Sequence, residues 1–308
     1  MRVVSLAPSA TDIVARIGGI GRLVGRSHAC DGPPQVLDRP VLTAPCTSYD
    51  PPGPGWTLDA RRLAELRPDV VLTGGPEGPG SIDPGSLRDA VAGMQGGRRA
   101  EIVALSPDTI EGVLDDHLTV GRAIGLEEEA SGAVFELRGR WLAAESYVNP
   151  YTEGPVVGFL ECTDPLAIAG LWTVQMIERA GGRHPLNETV ARPCAGAAAG
   201  MQAGQRVAGP SIGVPAEVFA ASRPERLIIA PRGLSLDQAV AQAERLRASA
   251  WWNALPAAQS GRVAVVDGRV FSRPGPGLVD AFAWLVGWIN ERPELVPVGF
   301  PWVPLDLP

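Results

Sequence analysis

Short apolar runs alternate along this chain with segments of helical periodicity. Over the first third, Arg2–Leu6, Leu23–Ser27, Val41–Thr43, Val70–Thr73 and Ile102–Leu105 are short and mostly apolar, a pattern that predicts strands. Between them, Ser9–Ile17, Leu58–Leu66 and Pro84–Met94 space their apolar residues three and four apart, which predicts helices with one buried face. Strands separated by helices at this spacing predict βαβ units and a parallel sheet covered on both faces.

A long helical stretch comes next. Asp108 is placed to cap it, with Glu111 three residues on completing a capping box. The pattern runs over Thr109–Ile124, breaks at Gly125, and resumes from Glu127 to about Tyr147. The second half opens acidic and carries Arg138 and Arg140 later, as the helix dipole favours, and Pro150 ends it. The alternation then begins again. Val156–Leu160, Leu227–Ala230 and Val263–Val266 read as strands. Trp172–Ala180, Ala216–Ser222, Leu236–Ala248 and Leu278–Asn290 read as helices, and Ser235 with Gln238 forms a second capping box. The organisation predicted is an α/β lobe over 1–125, a connecting helix over 126–150, a second α/β lobe over 151–290 and a Pro-rich tail over 291–308. The Gly/Ala-rich segment from Pro193 to Gly213 fits neither element type and reads as a long loop with a helical turn. The tail reads as an extended surface strap.

Composition narrows the functions. With 308 residues, 45% hydrophobic, the chain can bury one large core or two ordinary ones. The longest strongly apolar run, Ala281–Ile289, is about half of what a spanning helix needs, so no membrane insertion is expected. A net charge of −7 and a pI near 5.1 argue against a nucleic-acid partner. All 27 basic residues are Arg. The absence of Lys removes the P-loop lysine, the Schiff-base lysine of pyridoxal enzymes and the kinase strand lysine together. Gly74–Gly80 therefore reads as a plain loop. Cys30, Cys46, Cys162 and Cys194 show no C-x-x-C spacing, so neither a structural zinc site nor a disulfide framework is expected. The first residues lack an apolar leader region, which places the protein in the cytoplasm as the sequence stands, or in the periplasm if a leader has been removed. Candidate chemistry concentrates first in SHACDGPP, Ser27–Pro34. Its His28, Cys30 and Asp31 are compatible with a metal site, with half of a nucleophilic dyad, or with a loop that shapes a ligand cleft.

Three segments, RVVSLAPSATDIV, LVGRSHACDGPP and LDARRLAELRPDVVLTGG, resemble the N-terminal lobe of class III solute-binding proteins, the cobalamin-, haem- and siderophore-binding components of ABC importers. LAIAGLWTVQMIERAGG, RPERLIIAPRGLSLDQAV and GRVAVVDGRVFSRPGPGLVDAF resemble the second lobe of the cobalamin-binding branch. The resemblance covers roughly residues 2–125 and 155–290. It implies two Rossmann-like lobes joined by a long rigid helix, a ligand in the cleft between them, and no catalysis. The implied ligand is a metal chelate or tetrapyrrole, corrinoid first, with cobalamin the leading candidate. No cofactor is required beyond that ligand. The alternative is a chelatase-like or corrinoid-modifying enzyme on the same fold, in which His28, Cys30, Glu161 and His184 would converge.

The resemblance places SHACDGPP at the cleft wall. Either it lines the cleft with no metal role, Asp31 satisfying backbone N–H groups as turn aspartates do, or His28 or Cys30 reaches the ligand, in one version as an axial donor to cobalt or iron. Tyr49 and Trp56 supply flat side chains for a planar macrocycle, with stapling of the next helix the plainer role for Trp56. Glu77 is a further candidate contact. On the second lobe, Glu161, Trp172, Arg232, Phe271 and Arg273 follow or adjoin strands at the same edge. The two arginines suit ligand carboxylates, amides or phosphate, with surface ion pairs as the plainer reading.

Two departures from the family pattern matter. Family aromatics are replaced by Ala29 or Gly32 in the first loop and by GPSIGVP before Ala216, while the segment carrying His184, Asn187, Cys194, Gln202 and Gln205 is additional and could line the site anew. The family presents one acid per lobe to its permease. Glu217 fits the second acid, but the first position holds Arg61, with Asp59 the nearest acid. A reversed charge there opposes docking on an ABC permease.

Overall fold

The computed structural model describes residues 1–45, 55–75, 82–94, 99–192 and 206–305. The chain forms two compact units. One contains residues 1–107 and 111–137, the other 108–110 and 138–308.

In the first unit, β1 (Val3–Ser5), β2 (Leu23–Arg26), β5 (Val70–Gly74) and β6 (Glu101–Leu105) form a parallel sheet in the order β2-β1-β5-β6. Side chains alternate across a strand, and here both faces are apolar. Val3, Val70, Leu72, Val103 and Leu105 pack against Ala10, Ile13 and Val14 of α1 (Pro8–Arg16), Val120 and Ile124 of α4 (Ile110–Ile124), and Ala130 and Ala133 of α5 (Glu127–Glu145). Val4, Leu6 and Val71 point the other way, onto Leu63 of α2 (Ala60–Leu66) and Leu87 and Val91 of α3 (Pro84–Ala92). Each fully buried Val, Leu or Ile side chain contributes about 1.5–3 kcal/mol, so the helical layers on both faces hold the sheet.

The predicted helix from Leu58 begins two residues later. Leu58 instead closes a short hairpin of β3 (Thr43–Pro45) and β4 (Trp56–Leu58), with Pro45 opposite Trp56. Asp59 accepts the Arg62 N–H at 2.9 Å, and that cap sets the helix start. Gly125 has φ +68°, a left-handed conformation that separates α4 from α5. Residues 127–137 of α5 belong to the first unit and 138–145 to the second.

The second unit carries a mixed six-stranded sheet in the order β11-β8-β7-β12-β13-β14. Its centre is parallel: β7 (Val157–Thr163), β12 (Arg226–Ile229) and β13 (Val263–Val266). Antiparallel β8 (Leu166–Ile168) and β11 (Ile212–Gly213) extend one side. The Pro-rich tail is more than a strap: its β14 (Trp302–Pro304) pairs antiparallel with β13, and Pro304 is tolerated because the strand lies at the sheet edge. The inserted segment also gains a described stem, β9 (Val190–Ala191) paired with β10 (Arg206–Val207). The remaining helices are α6 (Leu171–Arg179), α7 (Ala216–Ala221), α8 (Leu236–Arg247), α9 (Pro256–Gln259), α10 (Gly268–Ser272) and α11 (Leu278–Ile289). The Ser235–Gln238 capping box is formed as predicted. No described helix is long and apolar enough to cross a membrane.

Candidate functional site

Strand β2 ends at Arg26, and the loop that follows is built by that residue. Arg26 Nη1 donates to Ser27 O (3.2 Å) and Cys30 O (3.1 Å), and Nη2 donates to Leu37 O (2.9 Å). Three carbonyls of SHACDGPP and its exit are thus collected on one guanidinium. The Ser27 N–H continues the strand by donating to Ser5 O at 2.9 Å.

This arrangement sends the three polar residues of the loop in different directions. Cys30 is 1% exposed; Thr11 Oγ1 donates to its Sγ at 3.0 Å, and the thiol faces Ser5 O. Burial pushes its pKa up, the Thr11 hydrogen bond opposing in part. A thiol so buried and held by Thr11 belongs to the polar interior, which favours neither the Cys30 ligand contact nor the dyad left open from the sequence. His28 turns the other way. Its backbone N–H donates to Thr43 Oγ1 at 3.0 Å and its Nδ1 lies 2.7 Å from the same oxygen. Its ring meets Trp56 edge to face, centroids 4.7 Å apart. Partial burial lowers the His28 pKa and the Arg26 charge adds to this, against an opposing contribution from Thr43, so the ring is neutral at pH 7. Asp31 is exposed on the loop. No group of three His, Cys, Asp or Glu among the described residues could hold a metal ion.

In the second unit, the carboxyl ends of β7, β12 and β13 meet. Glu161 is buried on β7, and Arg232, after β12, donates to Glu161 Oε2 from Nε at 2.7 Å and from Nη2 at 2.5 Å. Burial raises the Glu161 pKa, with Arg232 opposing. The two residues expected to hold ligand separately are therefore one ion pair, in which the Arg232 side chain stays 37% exposed. Close packing fixes the loop: a Cβ on Gly268 would stand 1.6 Å from Pro231 O, so only glycine fits, and the Gly268 N–H donates to Leu234 O.

Trp172 is half-buried at the start of α6 and donates its Nε1–H to Phe271 O at 2.9 Å. Phe271 itself is 2% exposed, edge-on to Phe159 (5.0 Å) and Trp284 (6.2 Å). Its side chain packs in the core and does not stand as the ligand contact its place at the edge suggested, while its carbonyl accepts the Trp172 N–H. Arg273 is half-buried two residues on. His184 is interior, its Nδ1 on Val157 O at 2.8 Å. Asn187 stitches the insert down, donating to Ala169 O and Pro210 O. Tyr49, Glu77, Cys194, Gln202 and Gln205 lie outside the described residues. Of the docking candidates, Asp59 is exposed but caps α2, Glu217 is exposed in the first turn of α7, and Arg61 is 91% exposed and paired with Glu65 at 3.1 Å.

Arg26 and Thr43 escaped the sequence reading. Among the described residues Arg26 donates only to main-chain carbonyls, which leave no side-chain signature, and Thr43 read as the end of a strand.

A family model described as periplasmic binding protein matches residues 3–270, and the chain belongs to that family. This makes it a binding protein rather than an enzyme, and the enzyme alternative gains no support. Among solved structures, the chain is similar to a periplasmic heme-binding protein from Pseudomonas aeruginosa (23% identity, 94% of this chain and 92% of that one, TM-score 0.68). RhuT, a periplasmic heme-binding protein from Roseiflexus sp. RS-1, is similar at 23% identity over 94% and 98% (TM-score 0.69). The vitamin B12 binding protein BtuF of Vibrio cholerae is similar at 18% identity over 95% and 98% (TM-score 0.68). At these identities they establish the fold, that of class III solute-binding proteins. No curated protein matches significantly. The cytoplasmic placement drawn from the first residues gains no support from a family of periplasmic proteins.

Proposed function

We propose that this protein captures a planar metal chelate or tetrapyrrole for an ABC importer, acting in the periplasm and handing its ligand to a permease. The carrying observation is the wall formed by His28 and Trp56 at the carboxyl end of the first parallel sheet, where open α/β sheets bind ligands. A flat indole braced by an imidazole suits a macrocycle face. The exposed part of Arg232, with Arg273 nearby in sequence, supplies donors for peripheral carboxylates or amides. Asp31 and the indole face of Trp172 complete the set of contacts. The similar structures include binders of heme and of vitamin B12, so corrinoid and haem stand as equal candidates. Exposed Glu217 and Asp59 would meet the permease, with Arg61 weakening the first contact.

Purified protein titrated with cobalamin, cobinamide, haem and a ferric siderophore, followed by absorbance and calorimetry, tests this. Binding of at least one in the micromolar range is expected. Failure of all four to bind below about 100 μM would remove the reading.

A further inference from the structure

The described part of the added segment is stitched to the start of α6. Asn187 Nδ2 donates to Ala169 O at 2.8 Å and to Pro210 O at 3.0 Å, and the Leu171 N–H donates to Gly209 O at 2.8 Å. A Cβ on Gly170 would stand 2.2 Å from Ser211 N, so the returning chain lies directly on that glycine. Leu171 holds φ +49°, a left-handed conformation that leucine rarely adopts, and these contacts keep it there. Together they deliver Ser211 to the carboxyl end of β7.

There the Ser211 hydroxyl and the Gly170 N–H join Arg232 as hydrogen-bond partners of Glu161. Ser211 Oγ also donates to Ile168 O at 2.7 Å. A hydroxyl has one proton and two lone pairs. Toward a carboxylate Ser211 has to donate, which takes its proton away from Ile168 O. Toward a protonated Glu161 it accepts and keeps the Ile168 bond. The same atoms therefore accommodate both forms of the buried acid, and neither form is left bare. Burial raises the Glu161 pKa, and Arg232 is the charge that opposes this. The other charges on this edge are buried Asp267, bound to Arg269 (Nε to Oδ1, 2.9 Å), exposed Asp164 and half-buried Arg273. From α8, neutral Gln242 accepts the Thr163 hydroxyl.

We infer that Ser211 and Glu161 are positioning residues that couple capture of an anionic cargo group at Arg232 to the uptake of one proton. The inference rests on the proposed role of Arg232 in holding peripheral carboxylates. A cargo carboxylate that pairs with the Arg232 guanidinium withdraws it from Glu161. Glu161 takes a proton from solvent and donates it to Ser211 Oγ, whose own proton stays on Ile168 O. One cation and one anion remain at the edge, as before. A cargo rim of neutral amides leaves the Glu161–Arg232 pair intact and takes up no proton. Affinity for a carboxylate-bearing chelate therefore falls as pH rises through the Glu161 titration, by about tenfold per pH unit at most for one proton.

Full-length wild type, Glu161→Gln, Ser211→Ala and Ser211→Thr are titrated from pH 5.5 to 8.5 with ferric haem, its dimethyl ester and diaquocobinamide. The ester shares the iron chemistry of haem, so its profile corrects for pH effects at the metal. Relative to the ester, wild type should bind haem about fivefold or more weakly at the alkaline end. Calorimetry in buffers of different ionisation enthalpy should show a proton taken up with haem and none with the ester. Glu161→Gln, which keeps the shape of the protonated acid, should flatten the haem profile. Ser211→Ala removes a contact that lowers the Glu161 pKa, so its profile should move to higher pH, and Ser211→Thr should move it back. Melting curves establish that each variant is folded, and the proton count on wild type with the two Ser211 variants decides if Glu161→Gln is not. Parallel haem and ester profiles, a Glu161→Gln profile as steep as wild type, a Ser211→Ala profile superimposed on wild type, or binding of cobinamide alone overturns the inference while leaving chelate binding intact. Wild type that binds none of the three probes removes chelate binding itself, and the inference with it.

Discussion

Glu161 and Arg232 lie 71 residues apart in sequence, and neither carries a local sign of the other. Each reads alone as a polar residue after a strand. Only the register that sets Ile229 beside Leu160 brings them together. Replacing Arg232 by Met would leave a buried carboxylate without its cation, a loss of about 2–3 kcal/mol at pH 8. Burial already raises the Glu161 pKa in the folded state. Such a group contributes stability below its unfolded pKa and loses it as pH rises through the folded one, and removing Arg232 raises the folded value further. Urea unfolding should therefore show Arg232→Met much closer to wild type at pH 5 than at pH 8. Arg232→Met with Glu161→Leu should recover most of the loss. Equal losses at both pH values would show that the pair is not what holds Glu161.

Elements were more legible than contacts. Apolar periodicity located the helices of the first unit because both faces of its parallel sheet demand a helical layer, and the Ser235–Gln238 box was readable because its residues are neighbours. The hairpin of β3 and β4 was not legible, since Pro45 and a Pro-rich intervening stretch mask two three-residue strands. Neither was β14, where prolines conceal an edge strand that borrows its partner from β13. The loop after β2 belongs to the same class: its sequence names His28, Cys30 and Asp31, but its shape comes from Arg26. Arg26→Met would release three carbonyls at once. Amide exchange over residues 28–37 should quicken by about tenfold or more, while global stability falls by less than about 2 kcal/mol. Unchanged exchange in that loop would mean that the Cys30 thiol contacts and the Ser27–Ser5 bond suffice to hold it.

For the molecule as a whole, stability against pH collects opposing contributions from its interior. His117 and His184 are held neutral by burial, their pKa values lowered, so the unfolded chain binds more protons than the folded one below about pH 6.5 and acid destabilises. Asp116 on α4 acts in the opposite sense. Its Oδ2 is buried and unpartnered among the described residues, and burial, with the Asp115 charge adding, pushes the carboxyl up to about 7. Between about pH 4 and 7 the folded chain therefore holds a proton that the unfolded chain has lost, and stability falls as pH rises through that window. Asp116→Asn fixes the neutral form. The full penalty of the ionised carboxylate would be about 4 kcal/mol, but solvent still reaches part of the residue, so a gain of about 1–2 kcal/mol at pH 8 is expected. At pH 4, where Asp116 is protonated in the folded chain, little change should appear. Unfolding followed by calorimetry from pH 4 to 8 should thus show the variant diverging upward from wild type as pH rises, leaving the histidine limb on the acid side intact. A gain of the same size at both ends would assign the effect to packing of the amide and not to the proton.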